Sequence, residues 1–340
     1  MTAVFLNGAF LDPGVAKVSA FDAGFQHGVG LFETMLGGVQ AGVPEPDDVW
    51  VVDLHFHLER LAASASELGL MQSLRTTALA DAVLETVRRS GLPRARIRLT
   101  LTGGDLNMLT AARSGGGEAG GQRGGPDPTV MIVAQPATEY PDAMFEHGVA
   151  VTIADGRANP LNPFEGHKTL NYWWRLRELQ HAGAKGGAEA VVLSVTNHLV
   201  GGCVSNIFLV KDGELLTPIA RGEELEVASP GSSSAAAEGV EPTAAARAGA
   251  GKRTPAVLPS PVLPGIVRSW VLSRAEIMDV PVRRRMLSIT DLLAADEVFL
   301  TNSSWGVLPV VRVERETVAG GEVGPITRRL RRAWVDATVS

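Results

Sequence analysis

The apolar pattern of this chain keeps changing period, and that alternation limits its fold more than any other feature. Residues 3–12 read as a hairpin: an apolar run turned back at Asn7-Gly8, a dipeptide suited to the positive φ of a tight turn. Leu54, Leu58, Leu61, Ala65 and Leu68 recur at helical spacing and predict a helix over 55–70, with Gly69 near its end. A second helix is expected over 77–90, stopped by Gly91 and Pro93; residues 96–102 and 129–134 alternate like strands. Strand-like runs follow at 149–154, 190–195, 206–210, 297–301 and 307–313, with helix-like segments at 169–182, 265–278 and 325–337. Strands and helices mixed in this way must bury each other's apolar faces in layers, which argues for an α+β or α/β class, and α+β is the expectation adopted.

The same reading divides the chain. Residues 1–137 form a smaller N-terminal domain, 138–148 a connector, and 149–340 a larger domain. Residues 114–128 are rich in glycine and read as a loop. The stretch from about 220 to 256 holds GSSSAAAEG and TAAARAGAG; it offers little apolar area to bury and is expected to be a disordered insert within the larger domain. With 45% hydrophobic residues in 340, the remainder has ample core material. A net charge of −6 argues against a general grip on nucleic acid. Cys203 is the single cysteine, so no disulfide forms within the chain, which suits the cytoplasm. The first ten residues lack a basic start followed by a long apolar run, and no apolar stretch is long enough to span a bilayer.

Four separated segments carry a family likeness. The first is Phe21-Asp22-Ala23-Gly24-Phe25-Gln26-His27-Gly28, running on to Phe32-Glu33-Thr34, with His57-Leu58-Glu59-Arg60-Leu61 after it. The second is Lys168-Thr169-Leu170-Asn171-Tyr172, and the third Ser205-Asn206-Ile207-Phe208 with Leu216-Thr217-Pro218. The fourth is Leu263-Pro264-Gly265-Ile266-Val267-Arg268, followed by Asp296-Glu297-Val298-Phe299 and Thr301-Asn302-Ser303. In this order, over nearly the whole chain, they resemble the class IV (fold type IV) pyridoxal 5'-phosphate enzymes. That family includes branched-chain and D-amino acid aminotransferases and 4-amino-4-deoxychorismate lyases. The resemblance implies a homodimer with a small and a large domain and the active site between them. It also implies small-molecule amino acid and 2-oxo acid substrates.

Such chemistry needs an amine. Only five of the 31 basic residues are lysines. Lys17 lies in a polar turn, Lys185 beside Gly186-Gly187, Lys211 before Asp212-Gly213, and Lys252 in the low-complexity stretch. Lys168 alone opens an apolar, aromatic segment, and the family's Schiff-base lysine falls there. The resemblance implies phosphate contacts from Arg60, Ser303 and the backbone of Ile266 and Val267. It also implies ring packing by Leu263 and a bond to the phenolic oxygen from Tyr172 or Asn171. Phe32, Ser304 and Trp305 would border the substrate. Plain readings stand beside these: Arg60 as a surface ion pair, Leu263, Ile266 and Tyr172 as core.

Three positions depart from patterns seen in the family. The family places a glutamate, against the cofactor's ring nitrogen, where this chain has Gly201, and threonine where it has Val267. D-amino acid aminotransferases tend to carry arginine at the position of Gly103. Three readings follow for the ring nitrogen: another group approaches it, the ring works unprotonated, or the protein is not a transaminase. The favoured expectation is amino-group transfer; 4-amino-4-deoxychorismate lyase chemistry and a non-catalytic binding protein are the alternatives.

Overall fold

A computed structural model describes residues 1–45, 48–105, 128–225 and 258–339. The Asn7-Gly8 turn closes as expected. Strands β1 (Ala3–Leu6) and β2 (Ala9–Leu11) pair with Leu6 opposite Ala9, and both turn residues have positive φ. Asp22 caps α1 (Ala23–His27) by accepting from the amides of Gly24 and Phe25, and its other oxygen accepts from the hydroxyls of Thr102 and Thr129. Then come β3 (Gly30–Val39), β4 (Val49–Val51), α2 (Leu54–Glu67), α3 (Thr76–Ser90), β5 (Ala95–Thr102) and β6 (Val130–Pro136). The six strands form one sheet in the order β2-β1-β6-β5-β3-β4. Leu58 and Leu61 of α2 and Val83 and Val87 of α3 share a buried core with Ile97, Leu99 and Ile132 of the sheet.

The second half runs α4 (Ala143–Glu146), β7 (Val149–Ala158), α5 (Trp173–Ala184), β8 (Glu189–Ser194), β9 (Leu199–Gly202), β10 (Asn206–Lys211) and β11 (Glu214–Thr217). It continues with α6 (Ile266–Ile277), β12 (Val282–Arg284), α7 (Ile289–Leu293), β13 (Glu297–Asn302), β14 (Gly306–Val313), β15 (Glu316–Thr317) and α8 (Pro325–Val339). Its sheet has nine strands in the order β12-β11-β10-β13-β14-β7-β8-β9, with β15 on β14. No helix among the described residues is long and apolar enough to cross a membrane.

The two sheets are joined at a short seam. The amide of Phe32 donates to the carbonyl of Lys168 at 2.9 Å, the amide of Leu170 donates to Gly30 at 2.9 Å, and Leu31 bridges Thr169. This seam corrects the expected helix over 169–182. The backbone groups of residues 168–170 are taken by β3, so the chain stays extended there and the helix starts at Trp173. The expected insert also starts too early. Ala220 is fully buried, and both oxygens of Glu223 accept from Arg268, at 2.7 and 2.8 Å, so residues 220–225 are packed. The rest of the insert, from residue 226, and the glycine-rich loop from 114 to 127 lie outside the described residues.

Candidate active site

One cavity of about 520 Å³ gathers most of the expected residues. Phe32, Arg60, Lys168, Tyr172, Leu263, Ile266, Val267, Ser303, Ser304 and Trp305 all line it. Asn171 does not; it is exposed, one residue before the turn into α5. Of the two candidates for one contact, the cavity therefore holds Tyr172.

Lys168 reaches it from the seam. Its Nζ lies 4.3 Å from the centre of the Phe32 ring and 5.5 Å from that of Tyr172, and it has no hydrogen-bond or ion-pair partner among the described residues. Burial favours the neutral amine and holds it down at about 7; nearby Glu33 works against this, and Arg60, Arg98 and Arg175 with it.

A charged corner lies beside it. Glu33 of β3 is fully buried and accepts from Arg60 Nε at 2.9 Å, Arg60 Nη2 at 2.6 Å and His57 Nδ1 at 2.7 Å. Burial pushes its carboxyl up, but Arg60 and then His57 outweigh that and bring it down to about 2. His57 is itself lowered by burial, so it is a neutral donor and the positive charge on Glu33 is that of Arg60. Arg60 Nη1 donates to the carbonyl of Pro264 at 2.9 Å. One hydrogen on each terminal nitrogen of Arg60 remains for a ligand.

Next to Arg60 stands the start of α6. Gly265 lends it no side-chain cap, and its first backbone bond runs from Ser269 to Gly265, so the amides of residues 266–268 precede any intrahelical partner. Asn206 shapes this corner. Its Nδ2 donates to the carbonyl of Leu263 at 2.8 Å, and its Oδ1 fills the space a Cβ at Gly265 would need. The buried hydroxyl of Thr301, on the cavity lining, has no partner among the described residues. Arg268, read within a site motif, is instead buried structure, held by Glu223 and the carbonyl of Pro218.

No carboxylate lines the cavity among the described residues. Arg96 and Arg98, two apart on β5, line it without a carboxylate partner among the described residues, and the Arg98 guanidinium sits 3.9 Å from the centre of the Phe32 ring. Arg175 lines it from α5, paired with Glu165 at 2.8 Å. None of these three stands in the motifs that carry the family likeness. An arginine two residues from another on a predicted strand was the available signal for the β5 pair.

Gly201 and Gly202 of β9 form the wall running into Ser205. A Cβ on Gly201 would come within 2.6 Å of the carbonyl of Ser205, so a glutamate cannot be placed there without moving backbone. Behind this wall stands Glu189 of β8, fully buried, whose carboxylate serves the turn from β9 to β10.

Comparison with known proteins identifies the family. The family model for Amino-transferase class IV matches residues 30–226 and 249–313. A putative branched-chain-amino-acid aminotransferase of Methanocaldococcus jannaschii is 30% identical, covering 98% of this chain and 95% of its own length. The structure of the branched-chain amino acid aminotransferase of Escherichia coli superposes with a TM-score of 0.76 at 24% identity, over 98% of this chain and 93% of that one. That of 4-amino-4-deoxychorismate lyase from Pseudomonas aeruginosa gives 0.68 at 25% identity, over 99% and 100%.

Proposed function

The chain belongs to the class IV aminotransferases, and from that premise we propose that it moves an amino group from an amino acid to a 2-oxo acid at the cavity around Lys168. Enzymes of this family use pyridoxal phosphate, which draws electrons from the substrate's α-carbon and carries the amino group between the two half-reactions. The residues present fit that group. The Arg60 corner, the amides at the start of α6 and the orphaned Thr301 hydroxyl suit a phosphate, and the glycine at 265 leaves the backbone bare beside it.

In this reading Lys168 anchors the cofactor and carries the proton to and from the substrate carbon. At about 7, its amine is free in about half the molecules at neutral pH; an ordinary lysine is free in roughly one of three thousand. Arg60, Ser303 and the backbone of Ile266 and Val267 hold the phosphate. Leu263 would pack against the ring and Tyr172 would serve its phenolic oxygen. Arg98 takes a substrate carboxylate, while Phe32, Ser304 and Trp305 shape the rest of the pocket. The observation that carries the proposal is the pairing, in one cavity that has no lining carboxylate among the described residues, of a lysine with no partner among them and a prepared anion corner. The aromatic walls and the branched-chain relative favour an apolar amino acid as one substrate.

A second reading is 4-amino-4-deoxychorismate lyase. Arg96 and Arg98 together suit a substrate with more than one carboxylate, and the lyase structure is matched over its whole length. We read residues 1–137 and 149–340 as the two domains and place the enzyme in the cytoplasm. The exposed Leu161, Phe164, Trp173 and Leu176, on either side of the lysine segment, are read as a face covered in a homodimer.

Borohydride reduction of the loaded enzyme is expected to fix the cofactor on Lys168; a mapped adduct on Lys185 or Lys211 refutes the assignment. A screen of amino acids and 4-amino-4-deoxychorismate, one at a time, separates the two reactions. An amino acid that converts the bound cofactor's absorbance without a second substrate supports transfer; release of pyruvate and 4-aminobenzoate supports the lyase.

A further inference from the structure

The ring nitrogen of pyridoxal phosphate is para to the carbon that a lysine takes, so it falls to a wall away from Lys168. The family likeness puts that nitrogen against the position of Gly201, in the Val200–Ser205 stretch of the lining. Gly201 and Gly202 put no side chain there. Cys203 is held as a neutral thiol, its pKa pushed up to about 12 by burial and by Glu189. From α5 come Arg175, tied to Glu165, and the buried Glu178, which accepts the amide of Asp155 at 2.9 Å. Tyr172, on the segment before that helix, is a neutral phenol raised by burial.

The remaining charge is Glu189, and its placement is specific. Strand β8 pairs with β9 so that Val191 faces Gly202 and Val192 faces Gly201, which brings the Glu189 side chain behind the wall. A Cβ on Gly202 would lie 2.8 Å from its carboxyl carbon, so only a glycine leaves room for it. Its Oε1 accepts from the amides of Ala190 and Cys203 at 3.0 and 3.1 Å. Its Oε2 accepts from the amide of Val204 and the hydroxyl of Ser205, both at 3.1 Å. Three of these four donors belong to the cavity wall. The carboxylate has no ion pair among the described residues, and a buried carboxylate facing neutral donors alone is costly unless a cation shares its surroundings.

We propose that Glu189 supplies, from behind the Gly201–Gly202 wall, the negative charge that keeps the cofactor's ring nitrogen protonated. It acts through the 203–205 turn and not by contact, as a positioning residue. Burial holds its carboxyl at about 7, so a cation at the wall would complete its ionisation. Arg175 opposes it, and Glu165 tempers Arg175. The inference rests on pyridoxal phosphate occupying this cavity, and not on whether transfer or lyase chemistry follows.

The test uses the full chain loaded with pyridoxal phosphate labelled with 15N in the ring, whose chemical shift reports protonation of that nitrogen against pH. Glu189→Gln is expected to lower the midpoint by at least one unit, about tenfold in proton affinity, Arg175→Gln to raise it, and Ser205→Ala to lower it by less. Should Glu189→Gln not load, the parent chain decides: adding cofactor at pH 7 is expected to abolish the infrared carbonyl band of a buried carboxylic acid. A Glu189→Gln enzyme that loads and titrates like its parent, or a band that persists, overturns the proposal. An error in the lysine assignment shows separately, as a borohydride adduct elsewhere.

Discussion

Two glutamates lie fully buried around one cavity, and they are displaced in opposite directions. Glu33 is brought down to about 2 and Glu189 is pushed up to about 7. Each accepts several hydrogen bonds at good distances, so bond count does not separate them. The difference is a formal charge: Glu33 has the guanidinium of Arg60 on both oxygens, and Glu189 has three amides and a hydroxyl. Neutral donors satisfy a carboxylate without offsetting its desolvation, whereas a cation does both. The phosphate corner thus carries its own counter-charge, whereas the Gly201–Gly202 wall is left with charge to share.

The largest break in that comparison is expected from Arg60→Met. It would leave Glu33 buried with the neutral His57, and loss of one partner of such a pair costs roughly 3–5 kcal/mol. Denaturant unfolding of the cofactor-free chain at pH 7 measures it; a loss below 1 kcal/mol would show that the pair is not holding the corner.

The pH dependence of stability sharpens the contrast. Glu33 has a depressed folded pKa, so its contribution is present above the ordinary value of 4.5 and is lost as pH falls toward about 2. Glu189 has a raised one, so its contribution is full below 4.5 and is lost as pH rises through about 7. Each span corresponds to roughly 3 kcal/mol. In the cofactor-free chain, Glu33→Gln should flatten the acid limb and Glu189→Gln the slope between 4.5 and 7. Two variants with the same slopes would refute the assignment.

His57→Phe removes one neutral donor from Glu33 and leaves Arg60, with an expected cost of about 1–2 kcal/mol in the same unfolding measurement. Deleting residues 227–256 touches neither glutamate and serves as the control. Loop closure changes by only roughly 0.6 kcal/mol per doubling of length, so folding and cofactor loading should persist. A deletion running back to Arg221 should do worse, because Arg221 pairs with Glu67 and Glu223 with Arg268.

The corner and the wall were not equally legible in the sequence. Lys168 stood out because lysine is scarce and its neighbours are apolar. The helices over 54–67 and 76–90 carried a clear 3.6-residue period. Glu33 and His57 lay in quoted motifs, but nothing local says that residues 24 apart share a hydrogen bond. Strand β9 escaped notice because two of its four residues are glycines, which carry no alternation. Glu189 was passed over for a related reason. Sequence order sets it apart from Gly201, whereas the register of β8 against β9 brings it across from the neighbouring strand. The late start of α5 had no local signal either, since β3 takes the backbone groups of residues 168–170 from the other end of the chain.

That seam also governs how the protein can be divided. The carbonyl of Lys168 and the amide of Leu170 are held by Phe32 and Gly30, residues of the opposite half. Fragments 1–137 and 149–340, made separately, would each lack one side of the lysine's backbone support. The second would own the lysine and the first its register. Activity in such a split protein should therefore appear only on mixing, and should rise with fragment concentration as a bimolecular association does.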